Sequence, residues 1–208
     1  MKKLTLQIVA VVAFVAIAVA ALYYGGVFGN TSDGNSSGNS ERVAQDVQIL
    51  KYSDYSCPAC KYFIPMQDQL KSEFGDKVTI EYRHFPLDGF RHSRLAAHAT
   101  EAARNQDKFR EMHELIFEYQ SEWSPSDVDA MEYFTRFAEE IDLDMNRFLA
   151  DLESQSVQER VENHRQEGIR RMVNSTPSFF INGHRLQQNP QSYEQFKSIV
   201  ELYMYRSN

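Results

Sequence analysis

The sequence predicts an α/β domain in the order β-α-β, an all-helical block, then β-β-α, preceded by one N-terminal transmembrane helix. Three observations within the domain predict its order. Residues 47–52 (Val-Gln-Ile-Leu-Lys-Tyr) and 78–82 (Val-Thr-Ile-Glu-Tyr) are short β-like runs separated by apolar residues at helical spacing. Residues 91–172 read as helices only, with apolar stripes at three- and four-residue intervals. Ser178-Phe179-Phe180-Ile181 then leads into Asn182-Gly183, the dipeptide of a type I′ hairpin turn.

The transmembrane expectation rests on residues 4–24. They follow Met1-Lys2-Lys3, carry no charge, and include only Thr5 and Gln7 as clearly polar side chains. A helix of that length reaches about 30 Å, the thickness of a bilayer hydrocarbon core. Small-x-small triplets at 16–18 and 18–20 also fit a cleaved signal peptide. The uninterrupted apolar run at 8–24 is longer than a usual signal core, and Tyr23 and Tyr24 sit where an interfacial belt would lie. A signal-anchor is therefore expected, with Lys2 and Lys3 cytoplasmic and the rest in the periplasm or cell exterior. Residues 25–40, rich in Gly, Ser and Asn, read as a flexible linker with a reach of roughly 20–25 Å. Residues 41–208 are the folded domain.

Within it, the first strand breaks at Ser53 and Cys57-Pro58-Ala59-Cys60 follows. Phe63, Met66, Leu70 and Phe74 predict one helix, with Pro58 at its first position, where a missing N–H costs nothing. Gly75-Asp76 closes it before the second strand. In the helical block, one stripe is Leu95, Ala99 and Ala102, and a second is Phe109, Met112, Ile116 and Phe117. A third is Val128, Met131, Phe134, Phe137 and Ile141, with Ser124 before Pro125 as its predicted cap. Trp123 reads as a packing anchor. Asp144 caps the segment of Phe148 and Leu152, and residues 157–172 predict a long charged helix. After the hairpin, Ser192 with Gln195 predicts a capping box for a last helix that buries Tyr193, Phe196, Ile199, Val200 and Tyr203.

Composition excludes several function classes. Apolar residues at 42% and charged residues at 25% do not suit a disordered chain. A net charge of −7 argues against nucleic-acid binding. A mean hydropathy of −0.51 excludes a multi-span membrane protein. Two cysteines make neither a disulfide-rich scaffold nor a four-thiolate zinc site.

A C-x-x-C pair can be a redox couple, half a metal site, or two unrelated buried thiols. The six histidines include no His-x(3–5)-His pair beside the cysteines, and vicinal cysteines in an exported domain oxidise. The redox couple is the preferred reading. At a helix N-terminus Cys57 meets free N–H groups and the positive end of the macrodipole, which lower a thiol pKa. Cys57 is thus the expected nucleophile and Cys60, one turn further on, the resolving thiol. The dithiol carries the two electrons itself, so no organic cofactor and no metal are expected. His84 reads as a satisfied edge-strand histidine and His113 as structural.

Four stretches resemble the thioredoxin-fold thiol-disulfide oxidoreductases, specifically the membrane-anchored DsbA-like group. They are Tyr52-Ser53-Asp54-Tyr55-Ser56-Cys57-Pro58-Ala59-Cys60, Tyr82-Arg83-His84-Phe85-Pro86-Leu87, Lys108-Phe109-Arg110-Glu111-Met112-His113, and the run from Ser175-Thr176-Pro177 through Asn182-Gly183. The resemblance covers about residues 45–205 and implies a thioredoxin-like fold with a helical insertion at about 91–172. It implies a cis Pro177, with the Thr176 backbone beside Cys57 where an extended substrate would pair. It further implies dithiol oxidase activity on the cysteines of exported proteins, and a membrane redox partner that recycles the pair. The alternatives are a disulfide reductase of the same fold or a Cu(I)-binding metallochaperone. Two departures stand out. Lys51 occupies the position, six before the first cysteine, where many relatives carry an acid, while Asp54 reads as an ordinary turn residue. Ala59 replaces the histidine of strongly oxidising relatives, so the expected potential lies between about −120 mV and about −270 mV.

Overall fold

The computed structural model describes residues 44–206, so the expected transmembrane segment (4–24) and linker (25–40) lie outside the described residues. Strand β1 (Val47–Ser53) runs inside a sheet of order β2-β1-β3-β4, with β2 (Val78–His84), β3 (Ser178–Ile181) and β4 (His184–Arg185). β2 lies parallel to β1, Val47 opposite Val78, and β3 antiparallel to it, Ile49 opposite Ile181. A parallel pair needs a crossover. Helices α1 (Pro58–Tyr62) and α2 (Ile64–Phe74) with a single 3-10 turn at Gly75–Lys77 supply it.

Alternation along β1 decides the layers. Val47 and Ile49 pack with Phe63, Leu70, Phe179, Phe196 and Val200 beneath α2 and the last helix, α9 (Tyr193–Met204). Tyr52 joins Phe85, Val173 and Phe180 in a smaller cluster. The insertion consists of α3 (Ser93–Arg104), α4 (Phe109–Glu118), α5 (Gln120–Trp123), α6 (Ala130–Glu140), α7 (Met145–Leu152) and α8 (Gln155–Arg170). Its core gathers Phe117, Trp123, Phe134, Phe137 and Phe148, and Tyr55, Cys57 and Cys60 belong to the same cluster. The insertion is therefore one wall of the thiol site. No helix among the described residues is long and apolar enough to cross a membrane.

Several sequence expectations need correction. The helix after the cysteines is two helices, broken at Phe63, with a proline within the first two positions of the second. That proline is Pro65, which cannot donate the N–H a continuous helix would use. Ser124 does not cap the third stripe: Val128 N–H closes a turn on the Pro125 carbonyl at 3.2 Å. The helix starts instead at Ala130, with Asp129 Oδ1 accepting the Met131 N–H at 3.0 Å. Asp144 caps α7 as expected, accepting the Arg147 N–H at 3.0 Å. Ser154 caps α8, which starts two residues before the expected Val157 and ends at Arg170. Ser192 accepts the Gln195 N–H, but Gln195 Oε1 accepts from Gln191 rather than from Ser192. Phe196, Val200 and Met204 form the fully buried face of α9, while Tyr193, Ile199 and Tyr203 are only half-buried. The turn at Asn182 and Gly183 has both φ values positive, 46° and 82°, as a type I′ turn requires.

Candidate active site

Cys57 stands where the loop leaving β1 becomes α1, and two tethers fix that loop. On one side Asp54, buried, accepts the Ser56 N–H at 2.7 Å and the Ser93 hydroxyl at 2.5 Å on Oδ1, and the Leu87 N–H at 2.7 Å on Oδ2. Asp54 is thus a turn residue that also fastens the loop to α3 and to the segment after β2. On the other side Gln120 Nε2 donates to the Tyr55 carbonyl at 2.6 Å and the Cys57 carbonyl at 3.1 Å. Sequence reasoning missed Gln120. A lone glutamine in a helical stretch carries no spacing signal, and only the fold brings α5 onto the loop.

Cys57 is 8% exposed and Cys60 fully buried, and both are free thiols. Pro58 and Ala59 between them are exposed, which leaves Cys57 as the thiol at the surface. The Thr176–Pro177 peptide is cis, and Cys57 Sγ lies 3.5 Å from the Thr176 carbonyl oxygen. Asn189 Nδ2 donates to the Pro177 carbonyl at 2.8 Å and holds this loop in place. Every residue expected from the sequence for thiol chemistry is therefore brought together.

The two thiols have opposite character. The Cys60 thiol donating to Cys57 is the main cause that lowers the Cys57 pKa to about 5. Burial opposes it, and the Thr176 side chain and the amides of Cys60 and Ala59 add to it. These amides belong to the first turn of α1, which has only five residues. Thiolate stabilisation therefore comes first from the partner thiol, and the first-turn N–H groups of Ala59 and Cys60, which the sequence suggested, add a smaller share. Burial pushes Cys60 well above the ordinary thiol value, the neighbouring Cys57 adds to this, and Lys51 opposes it.

Lys51 is fully buried below the pair. Its Nζ donates to the Cys60 carbonyl at 3.1 Å and to Gln67 Oε1 at 2.9 Å. Burial lowers its pKa to about 8, against the pull of Cys60, Cys57 and Asp68. Beyond Gln67 and Tyr82, along the outer strand β2, runs a groove of about 760 Å³ whose lining includes Ile64, Phe109, Arg110 and His113.

A second polar cluster lies at the end of β2. His84, Glu101 and His164 offer ligand atoms within 4.8 Å of one another. The arrangement does not suit a cation. Glu101 accepts from His84 Nε2 at 2.6 Å, from Arg104 Nε at 2.9 Å and from Arg160 at 2.8 Å, so both its oxygens are committed and two guanidinium groups stand beside it. Burial alone would raise the Glu101 pKa, but these donors outweigh it and hold it at about 2. His84 is the satisfied edge histidine expected, with a buried carboxylate as partner. His113 is buried, its Nδ1 2.8 Å from the Tyr55 hydroxyl, and Trp123 anchors the insertion through Nε1 donating to the Ile116 carbonyl at 2.7 Å.

Comparison with known proteins places this geometry. A family model described as thioredoxin matches residues 38–202. The chain is 34% identical over 148 residues to the Na(+)/H(+) antiporter NhaA of Herminiimonas arsenicoxydans, covering 70% of this chain and 22% of that protein. It is 33% identical over 155 residues to the antiporter NhaA 3 of Salinispora tropica, covering 74% and 22%. The chain thus spans about a fifth of the length of these curated relatives. Among solved structures, oxidised BdbD from Bacillus subtilis superposes with a TM-score of 0.67 at 22% identity, over 76% of this chain and 87% of that one. Wolbachia pipientis α-DsbA1 gives 0.66 at 17% identity, over 77% and 86%. A thioredoxin-like oxidoreductase from Silicibacter pomeroyi gives 0.65 at 24%, over 79% and 90%. The shared feature is the fold, a thioredoxin-like sheet with a helical insertion.

Proposed function

The chain belongs to the thioredoxin family, and from that premise we propose that it is a membrane-tethered thiol-disulfide oxidoreductase acting outside the cytoplasm. It exchanges a Cys57–Cys60 disulfide with the cysteines of exported proteins, as a dithiol oxidase. One observation carries the reading: the surface thiol has a pKa of about 5, while the fully buried thiol beside it is pushed far the other way. A thiolate that is stable at neutral pH stabilises the reduced pair, so the disulfide is readily given away. That asymmetry favours the oxidase direction over the reductase one.

The exchange runs in two displacements. A client thiolate attacks Cys57 Sγ of the disulfide, the Cys57–Cys60 bond breaks, and Cys60 leaves as a thiolate that takes a proton. A second client thiolate attacks the first client sulfur, and Cys57 leaves as its stabilised thiolate. The client gains a disulfide and the pair gains two electrons. A membrane redox partner then removes those electrons. The loop at Thr176, with its backbone beside Cys57, would seat the extended client chain.

The test is the reduction potential of the purified full-length chain, equilibrated in graded reduced and oxidised glutathione and scored by thiol alkylation. A value above about −180 mV supports the oxidase. One below about −240 mV overturns the direction and makes it a reductase. The absence of any reversible couple overturns thiol exchange altogether and calls for a Cu(I) titration.

A further inference from the structure

Among the described residues Lys51 is the one lysine or arginine that is buried. No carboxylate stands within ion-pair distance of it; its two partners are the neutral oxygens of Cys60 and Gln67. Its Nζ lies over the rings of Phe117 and Tyr82, 5.4 and 5.9 Å from their centroids. An ammonium without a counter-ion is costly in such a place. The groups facing it are Cys57 at the start of α1 and Cys60 within it, Asp68 from α2, Tyr82 from β2 and His113 from α4. Tyr82 is pushed to about 12 by burial, and burial with the Lys51 charge drives His113 well below its ordinary value, so both are neutral near pH 7. Asp68 is exposed and forms no close pair with it. The negative charge that the pair presents to Lys51 is therefore that of the Cys57 thiolate, joined by Cys60 when it is deprotonated during exchange, and it exists only when the pair is reduced.

We propose that Lys51 is a redox-linked positioning residue: its ammonium is the counter-charge of the reduced cysteine pair, and its proton leaves through the β2 groove when the pair is oxidised. This rests on the oxidoreductase reading above. The route is set by what separates Lys51 from solvent. Gln67 and Tyr82 both touch it and line the groove, and Gln67 Nε2 and His113 Nε2, buried without a protein partner among the described residues, line it too. Polar atoms of that kind are satisfied by water.

The chemistry balances. In reoxidation the Cys57 thiolate attacks a partner disulfide, whose S–S bond breaks and releases one partner thiolate. Cys60 then passes its proton to the partner thiolate just released, and its own thiolate, formed beside the Lys51 ammonium, attacks Cys57 Sγ; the second partner thiolate leaves. The pair has lost two electrons to the partner disulfide. Lys51, now facing no thiolate, gives its proton to water in the groove. Linkage requires the converse: a protonated Lys51 favours the reduced pair.

The test compares wild type with Lys51→Met, which keeps the stem volume, removes the charge and is expected to fold, since a buried charge replaced by an apolar isostere is commonly neutral or stabilising. Attack of Cys60 on a mixed disulfide preformed between Cys57 and glutathione should slow about tenfold near neutral pH in K51M. The glutathione equilibrium should move about tenfold toward the disulfide, which is about 30 mV for a two-electron couple. Both gaps should close above a pH of about 8, where wild-type Lys51 is itself neutral. A purely structural role would not produce that closure. A second measurement needs no variant: in wild type carrying isotope-labelled lysine, the Lys51 resonance should titrate at a lower pH in the oxidised protein than in the reduced one. Equal potentials, rates and pH profiles in K51M, or equal Lys51 titration in both redox states, would overturn the proposal while wild-type exchange keeps the function intact. A wild type with no reversible couple would instead overturn the function itself.

Discussion

Lowering the pH should change how steeply the potential of the Cys57–Cys60 couple depends on pH. Between about pH 5 and the ordinary thiol range, the reduced pair holds one thiolate and one thiol, because Cys57 has lost its proton and Cys60 retains its own. At the two sulfurs reduction then takes up two electrons and one proton, a tenfold change in equilibrium constant, or about 30 mV, per pH unit, a slope read in Lys51→Met, where no lysine proton is coupled to the change. Below that range Cys57 is protonated, reduction takes up two protons, and the slope doubles to about 59 mV per unit. At pH 7 the thiolate lies about two units above its pKa. That stabilises the reduced form by at most about 3 kcal/mol, or about 60 mV, less what solvent screens at the exposed rim of the sulfur. The sign is that of a folded-state pKa lowered below the unfolded one. The stabilisation is present above the unfolded thiol value and is lost as pH falls through about 5. The assay is the glutathione equilibrium of the full chain from about pH 4 to about pH 8, paired with the ultraviolet absorbance of the thiolate, which Cys57→Ser should abolish. In Lys51→Met, a slope of about 59 mV per unit across the whole range would mean that Cys57 keeps its proton, and the thiolate argument would be refuted.

Two further predictions concern the frame around the site. Gly168→Ala would set a Cβ 2.7 Å from the Phe85 ring and 3.0 Å from Tyr52; overpacking of about 1–3 kcal/mol should exceed the roughly 1 kcal/mol of helix propensity gained, and a denaturant melt with unchanged or higher stability would refute the close approach of α8. Glu101→Gln should cost about 3–5 kcal/mol by leaving two arginines and a histidine facing a neutral amide. In wild type the Glu101 contribution is present above its unfolded value and lost as pH falls toward about 2, so urea melts on the acid side should show a loss that E101Q lacks.

What the sequence disclosed and what it hid divide along the range of the interactions. Cys57, Cys60, the hairpin at Asn182-Gly183 and the Asp144 cap were legible because each depends on neighbours a few residues away. The break at Phe63 was equally local, but the apolar period ran through Pro65 and masked it. Gln120 and the roles of Asp54 and Glu101 were not legible. Gln120 meets the Cys57 carbonyl across 63 residues and Asp54 meets Ser93 across 39. No periodicity encodes such contacts; they exist only once the insertion has folded against the loop.

The same distinction explains why the insertion matters to the chemistry. A C-x-x-C turn by itself offers its nucleophile a short helix end, and here that helix has five residues and its Ala59 and Cys60 amides contribute less to the Cys57 thiolate than the Cys60 thiol does. The larger part of the bias between the thiols comes from differential burial, which keeps Cys60 protonated and so available to donate to Cys57. Burial of Cys60 is supplied by the insertion's core, whose cluster includes both cysteines. Loosening that packing would hydrate Cys60, let its own pKa fall, and weaken the bond that stabilises Cys57. In this chain the helical insertion sets the reactivity of a dithiol carried by the other half of the fold.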